Sequence, residues 1–162
     1  MAARPPYAVT HEGPVLICGP APTLYRDFRA ARALYPEAAL FAVSWAIRAV
    51  RAAHVLSNHY EKAAELRALA AHDWPGHAFT LHSQPPMQRA DIGKTFPAVD
   101  HFWEEAAACS NSAVAAARVA LAMGYGPAIF CGVALDGTTG YAFDTGSACF
   151  WEPASPPMPA SW

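Results

Sequence analysis

Five short, nearly continuous apolar segments, separated by stretches long enough for a helix, constrain the fold of this chain more than any other feature. They lie at 14–18, 39–43, 54–57, 77–81 and 128–132. Runs of this kind are typical of strands that are covered on both faces of a sheet. Strands that alternate with helices form parallel βαβ units with right-handed crossovers. The pattern therefore predicts a Rossmann-like, doubly wound α/β fold, with a mostly parallel sheet of about five to six strands flanked by helices.

The stretches between these segments carry helix signals. Leu24, Phe28 and Ala31 share one helical stripe, and Pro36 ends it, which predicts a helix over 23–35. Further helices are expected at 46–52, 60–72 and 113–123, with a weaker helical segment at 98–108. Gly124 would close the last of the strong helices in the left-handed conformation.

Two segments are rich in proline and predict irregular structure. Residues 83–97 contain three prolines and indicate a surface loop, so 83–105 is a candidate lid over a ligand site. Residues 153–162 contain four prolines and predict an irregular tail. At 162 residues the chain is expected to form a single domain, 1–162.

Composition and charge set several classes of protein aside. Apolar residues make up 54% of the chain and the net charge is −2, without a dense Lys/Arg stripe, so no nucleic-acid partner is expected. No apolar stretch reaches the length of a membrane span, and the start lacks a signal peptide, so a cytoplasmic location is expected. The four cysteines show no zinc spacing, and no metal is expected. Self-association is left open.

Polar and small residues follow the predicted strands, where the ligand crevice of a doubly wound sheet forms. Gly19 and Thr23 lie in a turn between strand and helix, which either approaches a ligand or is only a rigid connection. The Asn58 side chain could read a base edge or a sugar hydroxyl, or could form an Asx turn. Ser44 has the same alternatives.

Residues in three further parts of the chain could carry binding or chemistry. Ser110, Asn111 and Ser112 form a helix-capping cluster, to which anion binding would be an additional role. His59 could act as a base or phosphate donor, or be an ordinary surface histidine. Asp136 and Tyr141 lie in the loop after the last strand, where the tyrosine could bind phosphate or be packed.

Four segments, in order and at similar spacing, together resemble a known family. The loop G-P-A-P-T-L at 19–24 resembles the G-x-G-P-S-L loop of the Rossmann-like bacterial sialyltransferases of the lipooligosaccharide type, glycosyltransferase family 42. Residues 112–125 resemble that family's S-G-V…A-x-A-L-G-Y helix, and Gly132-Val133 resembles its strand ending in G-I-D. The stretch Y-A-F-D-T at 141–145 is similar to the segment after that strand. Short phage-encoded proteins and DUF115-like domains share this skeleton.

The resemblance implies a pocket for a CMP-type nucleotide or nucleotide sugar, with no other cofactor. The first loop would face the phosphate and ribose, whereas Ser44 and Asn58 stand where the family contacts the nucleotide. Tyr141 matches a tyrosine that holds the phosphate and assists departure of the nucleotide. The residues implied in nucleotide binding are Gly19, Ala21, Thr23, Ser44, Asn58, Asn111, Ser112 and Gly132.

The catalytic base of that family has no counterpart here. It is a histidine beyond the Y-A-F-D-T stretch, and this chain has no histidine after His101, which leaves His59 or Asp136 as the candidate base. Three readings follow. The chain is a minimal sialyltransferase-like transferase or a hydrolase of a nucleotide-linked substrate, a nucleotide-binding protein without turnover, or a phage accessory protein with a vestigial pocket.

Overall fold

A six-stranded, all-parallel sheet with helices on both faces forms the part of the chain that the computed structural model describes, residues 11–107, 109 and 111–133. The strands are β1 (Val15–Cys18), β2 (Ala39–Val43), β3 (His54–Ser57), β4 (Thr80–Ser83), β5 (His101–Phe102) and β6 (Ala128–Cys131). The helices are α1 (Leu24–Leu34), α2 (Ala63–Asp73), α3 (Glu104–Ala107) and α4 (Ser112–Ala122). The strand order β5-β4-β3-β2-β1-β6 confirms the predicted doubly wound α/β fold.

Alternating side chains of the strands feed two separate hydrophobic layers. Leu16 and Leu40 face the layer that contains the buried residues of α1 and α2. Ile17 and Phe41 face the layer built by Trp103, α3 and α4. The chain winds from β1 to β5 with its helices on the first face, and then crosses to β6 with α4 on the second. The reversal lies between β1 and β6, where ligands of such folds bind.

Helix α4 runs antiparallel to the strands and begins at their carboxyl edge. The Asn58 amide, just after β3, donates to the carbonyl of Cys109, two residues before the helix N-cap. At the other end, the backbone N–H of His11, ahead of β1, donates to the carbonyl of Met123 at the C-cap. Gly124 follows with φ +100, as predicted for a left-handed helix end.

Several predicted elements differ from the observed ones. Residues 46–52, predicted as a helix, contain only the end of a 3₁₀ helix at Ser44–Arg48, and the helix predicted at 60–72 is a 3₁₀ turn, Tyr60–Lys62, followed by α2. The fourth strand, predicted at 77–81, begins three residues later and ends two residues later, at Thr80–Ser83, because polar His82 and Ser83 are buried inside it. Within 98–108, predicted as helical, β5 precedes the short α3.

The candidate lid is attached to the α2 side of the sheet. Tyr60 Oη donates to Asp91 at 2.8 Å, within a loop that also holds a 3₁₀ turn at Arg89–Asp91. Arg67 of α2 donates to the carbonyl of Ala98 at 2.7 Å and to the carboxylate of Asp100 at 2.6 Å. Among the described residues, no helix is long and apolar enough to cross a membrane. The predicted tail at 153–162 lies outside the described residues.

Two glycines fix the join between β1 and β6. The Gly19 N–H donates to the carbonyl of Cys131, and the Ala21 N–H donates to the carbonyl of Gly132. A Cβ atom on Gly19 would lie 2.5 Å from the Gly132 oxygen, and one on Gly132, at φ +64, would lie 2.6 Å from the Gly19 oxygen. The two backbones therefore pack at a distance that excludes side chains.

Gly19→Ala is expected to lower the free energy of unfolding by about 2–3 kcal/mol, because its methyl group would displace the Gly132 backbone. Urea unfolding followed by circular dichroism measures this loss. Gly126→Ala is the matched control, since a Cβ there meets only Leu121 Cδ2 at 3.9 Å. Equal losses in the two variants would contradict the steric explanation.

Candidate functional site

The residues predicted to bind the ligand fall mainly at one edge of the sheet. Gly19 follows β1, Ser44 follows β2, Asn58 follows β3 and Gly132 follows β6, so all four lie at the carboxyl edge. The start of α4 reaches the same edge through the contact between Asn58 and Cys109. The turn after β1 leads to α1 on the opposite face of the sheet. The two helix starts thus share an edge and lie in different layers.

The turn between β1 and α1 is tied together by its own hydrogen bonds. Thr23 Oγ1 donates to Asp27 at 2.8 Å, and the Gly132 N–H donates to the same carboxylate oxygen at 3.1 Å. Burial raises the pKa of the Asp27 carboxyl, but the bonds from Thr23 and Gly132, together with Arg26, hold it below its usual range. Thr23 occupies the N-cap position of α1 without a side-chain capping bond. These bonds, with those of the Gly19 backbone, explain Gly19, Thr23 and Gly132 as residues that make the connection between β1 and α1 rigid.

Ser44 has a strained backbone at the end of β2. Its φ of +50 is the only positive value at a non-glycine residue in the described part of the chain. A non-glycine residue in this region costs roughly 1–3 kcal/mol, and such residues cluster at binding and catalytic sites. Strands β2 and β3 are neighbours in the sheet, with Val43 paired to Leu56. Ser44, directly after β2, and Asn58, directly after β3, therefore lie near each other at the carboxyl edge.

Asn58 presents an unused acceptor at this edge. The residue is 7% exposed, and its Nδ2 donates to the carbonyl of Cys109 at 3.0 Å. Its backbone carbonyl accepts from Gln84 Nε2 at 2.8 Å. Oδ1 is buried and has no hydrogen-bond partner among the described residues. Because Nδ2 is committed to Cys109, the amide cannot be flipped without losing that bond, and Oδ1 is held as an acceptor.

The start of α4 is capped by one asparagine side chain. Asn111 Oδ1 accepts from the N–H groups of Ala113 and Val114, at 2.8 Å and 3.4 Å. The capping role predicted for the cluster is thereby confirmed for Asn111, whereas Ser112 is the first residue of the helix. Ser110 lies outside the described residues. The positive end of the α4 dipole still favours an anion at this edge.

Of the candidate catalytic residues, only His59 is described. Its side chain is 70% exposed, and Nδ1 pairs with Glu61 Oε1 at 3.0 Å. The backbone N–H of His59 donates to Ser57 Oγ at 3.1 Å, which fixes the chain after β3. A carboxylate on Nδ1 orients the ring and leaves Nε2 to accept a proton. Asp136 and Tyr141 lie outside the described residues.

Sequence reasoning missed a cluster of histidines under α3 and α4. His54, His82 and His101 lie on adjacent strands and face the same layer, where His11 joins them. Of these three histidines, only His54 lies inside a strand predicted from the sequence, and the cluster depends on strand pairing that spacing does not reveal. In the described ranges, no group of three His, Cys, Asp or Glu side chains is placed to hold a metal ion.

Asn111→Ala is expected to lower the free energy of unfolding by about 1 kcal/mol, because two N–H groups of α4 lose their acceptor. Asn111→Asp keeps an acceptor oxygen at the helix N-terminus and is expected to remain close to the wild type. Urea midpoints of the three proteins measure both effects. If alanine and aspartate variants were equally stable, the cap would not contribute.

Comparison of the chain with protein-family models, with curated proteins and with solved structures finds no match. A function therefore has to be inferred from the geometry of the carboxyl edge. Fold alone does not determine function in doubly wound sheets, which carry many unrelated activities.

Proposed function

We propose that this protein binds a nucleotide or nucleotide sugar at the carboxyl edge of its sheet, between the ends of β2 and β3 and the start of α4. The observation that carries the proposal is the buried Oδ1 of Asn58, which has no partner among the described residues. A buried polar group without a partner costs free energy, so such a group indicates a missing hydrogen-bond donor. The donor would be supplied by the ligand.

The chemistry of the edge selects what that ligand carries. Asn58 Oδ1 needs an N–H or O–H group, such as a base amine or a sugar hydroxyl. The N-terminus of α4, connected to Asn58 through the Cys109 carbonyl, favours a negative group such as a phosphate. A nucleotide carries both groups in one small molecule. The strained Ser44 on the neighbouring strand end supports the same location.

The resemblance to the sialyltransferases agrees with this proposal in its ligand. The resemblance implies a CMP-type nucleotide near Ser44, Asn58 and Asn111, which follow β2, follow β3 and precede α4. The internal bonds of the turn after β1 shift the proposed site away from Gly19 and Thr23 and toward Asn58.

Asn58→Ala is expected to weaken nucleotide binding at least tenfold, because the ligand loses its acceptor. Calorimetric titration with CMP, CDP, UDP and GDP measures the affinity directly. Gln88→Ala removes an amide from an exposed position and is the matched control, expected to bind as the wild type does.

Two outcomes would overturn the proposal. One is that the wild-type protein binds none of the four nucleotides, and the other is that Asn58→Ala binds the best of them with unchanged affinity. A thermal-shift series with the same nucleotides gives an independent check, because a ligand that binds only the folded chain raises the melting temperature.

A second candidate function is hydrolysis or transfer of the nucleotide-linked group, with His59 as the base. His59 directly follows Asn58 in the chain, and its Nδ1 pairs with Glu61. Both observations favour this candidate. The oxygen of the attacking hydroxyl or water would form a bond to the sugar carbon, and its proton would pass to Nε2. The bond from that carbon to the phosphate oxygen would break, and the nucleotide would leave with its electrons. The α4 N-terminus would stabilise the charge on the departing phosphate.

His59→Gln is expected to abolish the release of free CMP from a CMP-sugar and to leave CMP affinity within about twofold of the wild type, since an exposed base contributes little to binding. Chromatographic detection of CMP measures the release, with His72→Gln, at 84% side-chain exposure, as the control. Unchanged release in His59→Gln would exclude this histidine as the base, and binding without release in the wild type would leave a nucleotide-binding protein.

A further inference from the structure

Four histidines that are distant in the sequence form a row on the face of the sheet covered by α3 and α4. His11 precedes β1, and His54, His82 and His101 belong to β3, β4 and β5. Successive ring centroids are 5.5 Å, 5.3 Å and 5.7 Å apart. The two central rings are buried, with 5% exposure for His54 and 0% for His82.

A chain of hydrogen bonds runs through the two central rings. Trp103 Nε1 donates to His82 Nδ1 at 2.9 Å. His82 Nε2 lies 3.1 Å from His54 Nδ1, and His54 Nε2 lies 3.3 Å from the Tyr125 hydroxyl. The chain therefore links the segment before α3 to the segment after α4 across β4 and β3.

The indole of Trp103 fixes the direction of every bond in this chain. Indole N–H only donates, so His82 Nδ1 must accept, and the neutral ring carries its proton on Nε2. That proton is donated to His54 Nδ1, and the proton of His54 consequently lies on Nε2, toward the Tyr125 hydroxyl. Both rings are neutral and of the same tautomer.

An additional proton has no acceptable place in the chain. If His82 were protonated on Nδ1, its new N–H would face the indole N–H, and two donors cannot form a hydrogen bond. If His54 were protonated on Nδ1, its new N–H would face the Nε2–H of His82 in the same way. Phe41 of β2 and the alanines and valine of α4 are apolar, and the titratable neighbours are His11, His101 and Tyr125.

We propose that the histidine row is an acid-sensitive lock, which holds the α3–α4 layer on the sheet at neutral pH and releases it when His54 and His82 are protonated. Trp103 immediately precedes α3 and Tyr125 follows α4, so the two ends of the hydrogen-bond chain hold the two ends of this layer. Protonation breaks the chain and places like charges about one ring spacing apart in a buried site, at 5.3 Å.

The shifts of the two rings give the pH range over which their contribution to the stability of the folded chain is lost. Burial, with the charges of His11 and His101, lowers the pKa of His54 to about 4. Burial, with the charges of His54, His101 and His11, lowers the pKa of His82 to about 2. In the unfolded chain a histidine has a pKa of about 6.5, so below that pH the unfolded state binds more protons. The contribution is complete above about pH 6.5 and is lost as the pH falls.

Urea unfolding of the full chain at about pH 7 and about pH 5 tests the lock without any ligand. Each ring is expected to shift the equilibrium constant roughly 20-fold toward unfolding, and both together several hundred-fold. His82→Gln keeps an acceptor for Trp103 and a donor for His54 but does not titrate, so about 20-fold should remain. His72→Gln, with an 84% exposed side chain, should retain the full shift.

The chosen pH range separates histidines from carboxylates. The pKa values of Asp27, Asp73 and Asp91 are held below their usual range, where hydrogen bonds from neighbouring groups outweigh burial, so these groups stay ionised above about pH 5. A pH shift in His82→Gln as large as in the wild type would overturn the proposal.

Two measurements on the wild-type protein keep the test independent of that variant. Nitrogen-15 spectra of the imidazoles should show both central rings as neutral Nε2–H tautomers at about pH 7 and about pH 5, and rings that titrate near pH 6.5 would overturn the lock. Between about pH 7 and about pH 5, the hydrogen-exchange protection factors of α4 should fall more than those of β1, β2 and β3. An equal fall in the helix and the sheet would exclude release of the layer.

Discussion

The structure depends on covering both faces of a parallel sheet whose strands are only two to five residues long. Strands of this kind are stable only when helices bury them from both sides. On one face the covering helices are α1 and α2, and on the other the task falls to the short α3 and to α4. Helix α4 meets it with small residues, since its buried positions are five alanines and one valine. Small side chains let the helix approach the strands closely. Because they interlock little with the strands, contacts at the two ends of the helix determine its position.

Those end contacts are polar and come from the sheet. Asn58 holds the carbonyl of Cys109 ahead of α4, and His54 faces the hydroxyl of Tyr125 after it. Hydrogen bonds at fixed points specify a position, which close packing of alanine on apolar strands does not. The same side chains that place the helix are therefore those with unusual chemistry, an unused acceptor in Asn58 and two neutral buried imidazoles in His54 and His82.

The sequence predicts the apolar part of this arrangement and not its polar part. Strands β1, β2 and β6 are continuous apolar runs, and β3 holds two apolar residues between His54 and Ser57, so the positions of all four follow from hydrophobic patterning. Strand β4 contains His82 and Ser83, which are buried because they bond to β3 and to Trp103. Hydrophobic patterning does not recognise such residues as buried, so it predicts the strand too early in the chain. Strand β5 is two residues long and gives no pattern at all. In the site, Asn58 and Asn111 could be found because strand ends and helix caps have local signals. The histidine row could not, because it requires the register between β3, β4 and β5.

The proposed ligand site and the histidine row are two ends of one mechanical unit. The segment from Trp103 to the start of α4 contains Cys109, whose carbonyl holds the Asn58 amide and so aims its Oδ1. Movement of this segment away from the sheet would remove the constraint that makes Oδ1 a fixed acceptor. Conversely, a ligand could donate to Oδ1 and place its negative group at the N-terminus of α4. Such a ligand would hold the N-terminal end of the helix, whereas the contact of Tyr125 with His54 holds the C-terminal end. Because a ligand that binds only the docked layer must stabilise it, occupation of the site would oppose protonation of His54 and His82, and acidification would oppose binding by the same free energy.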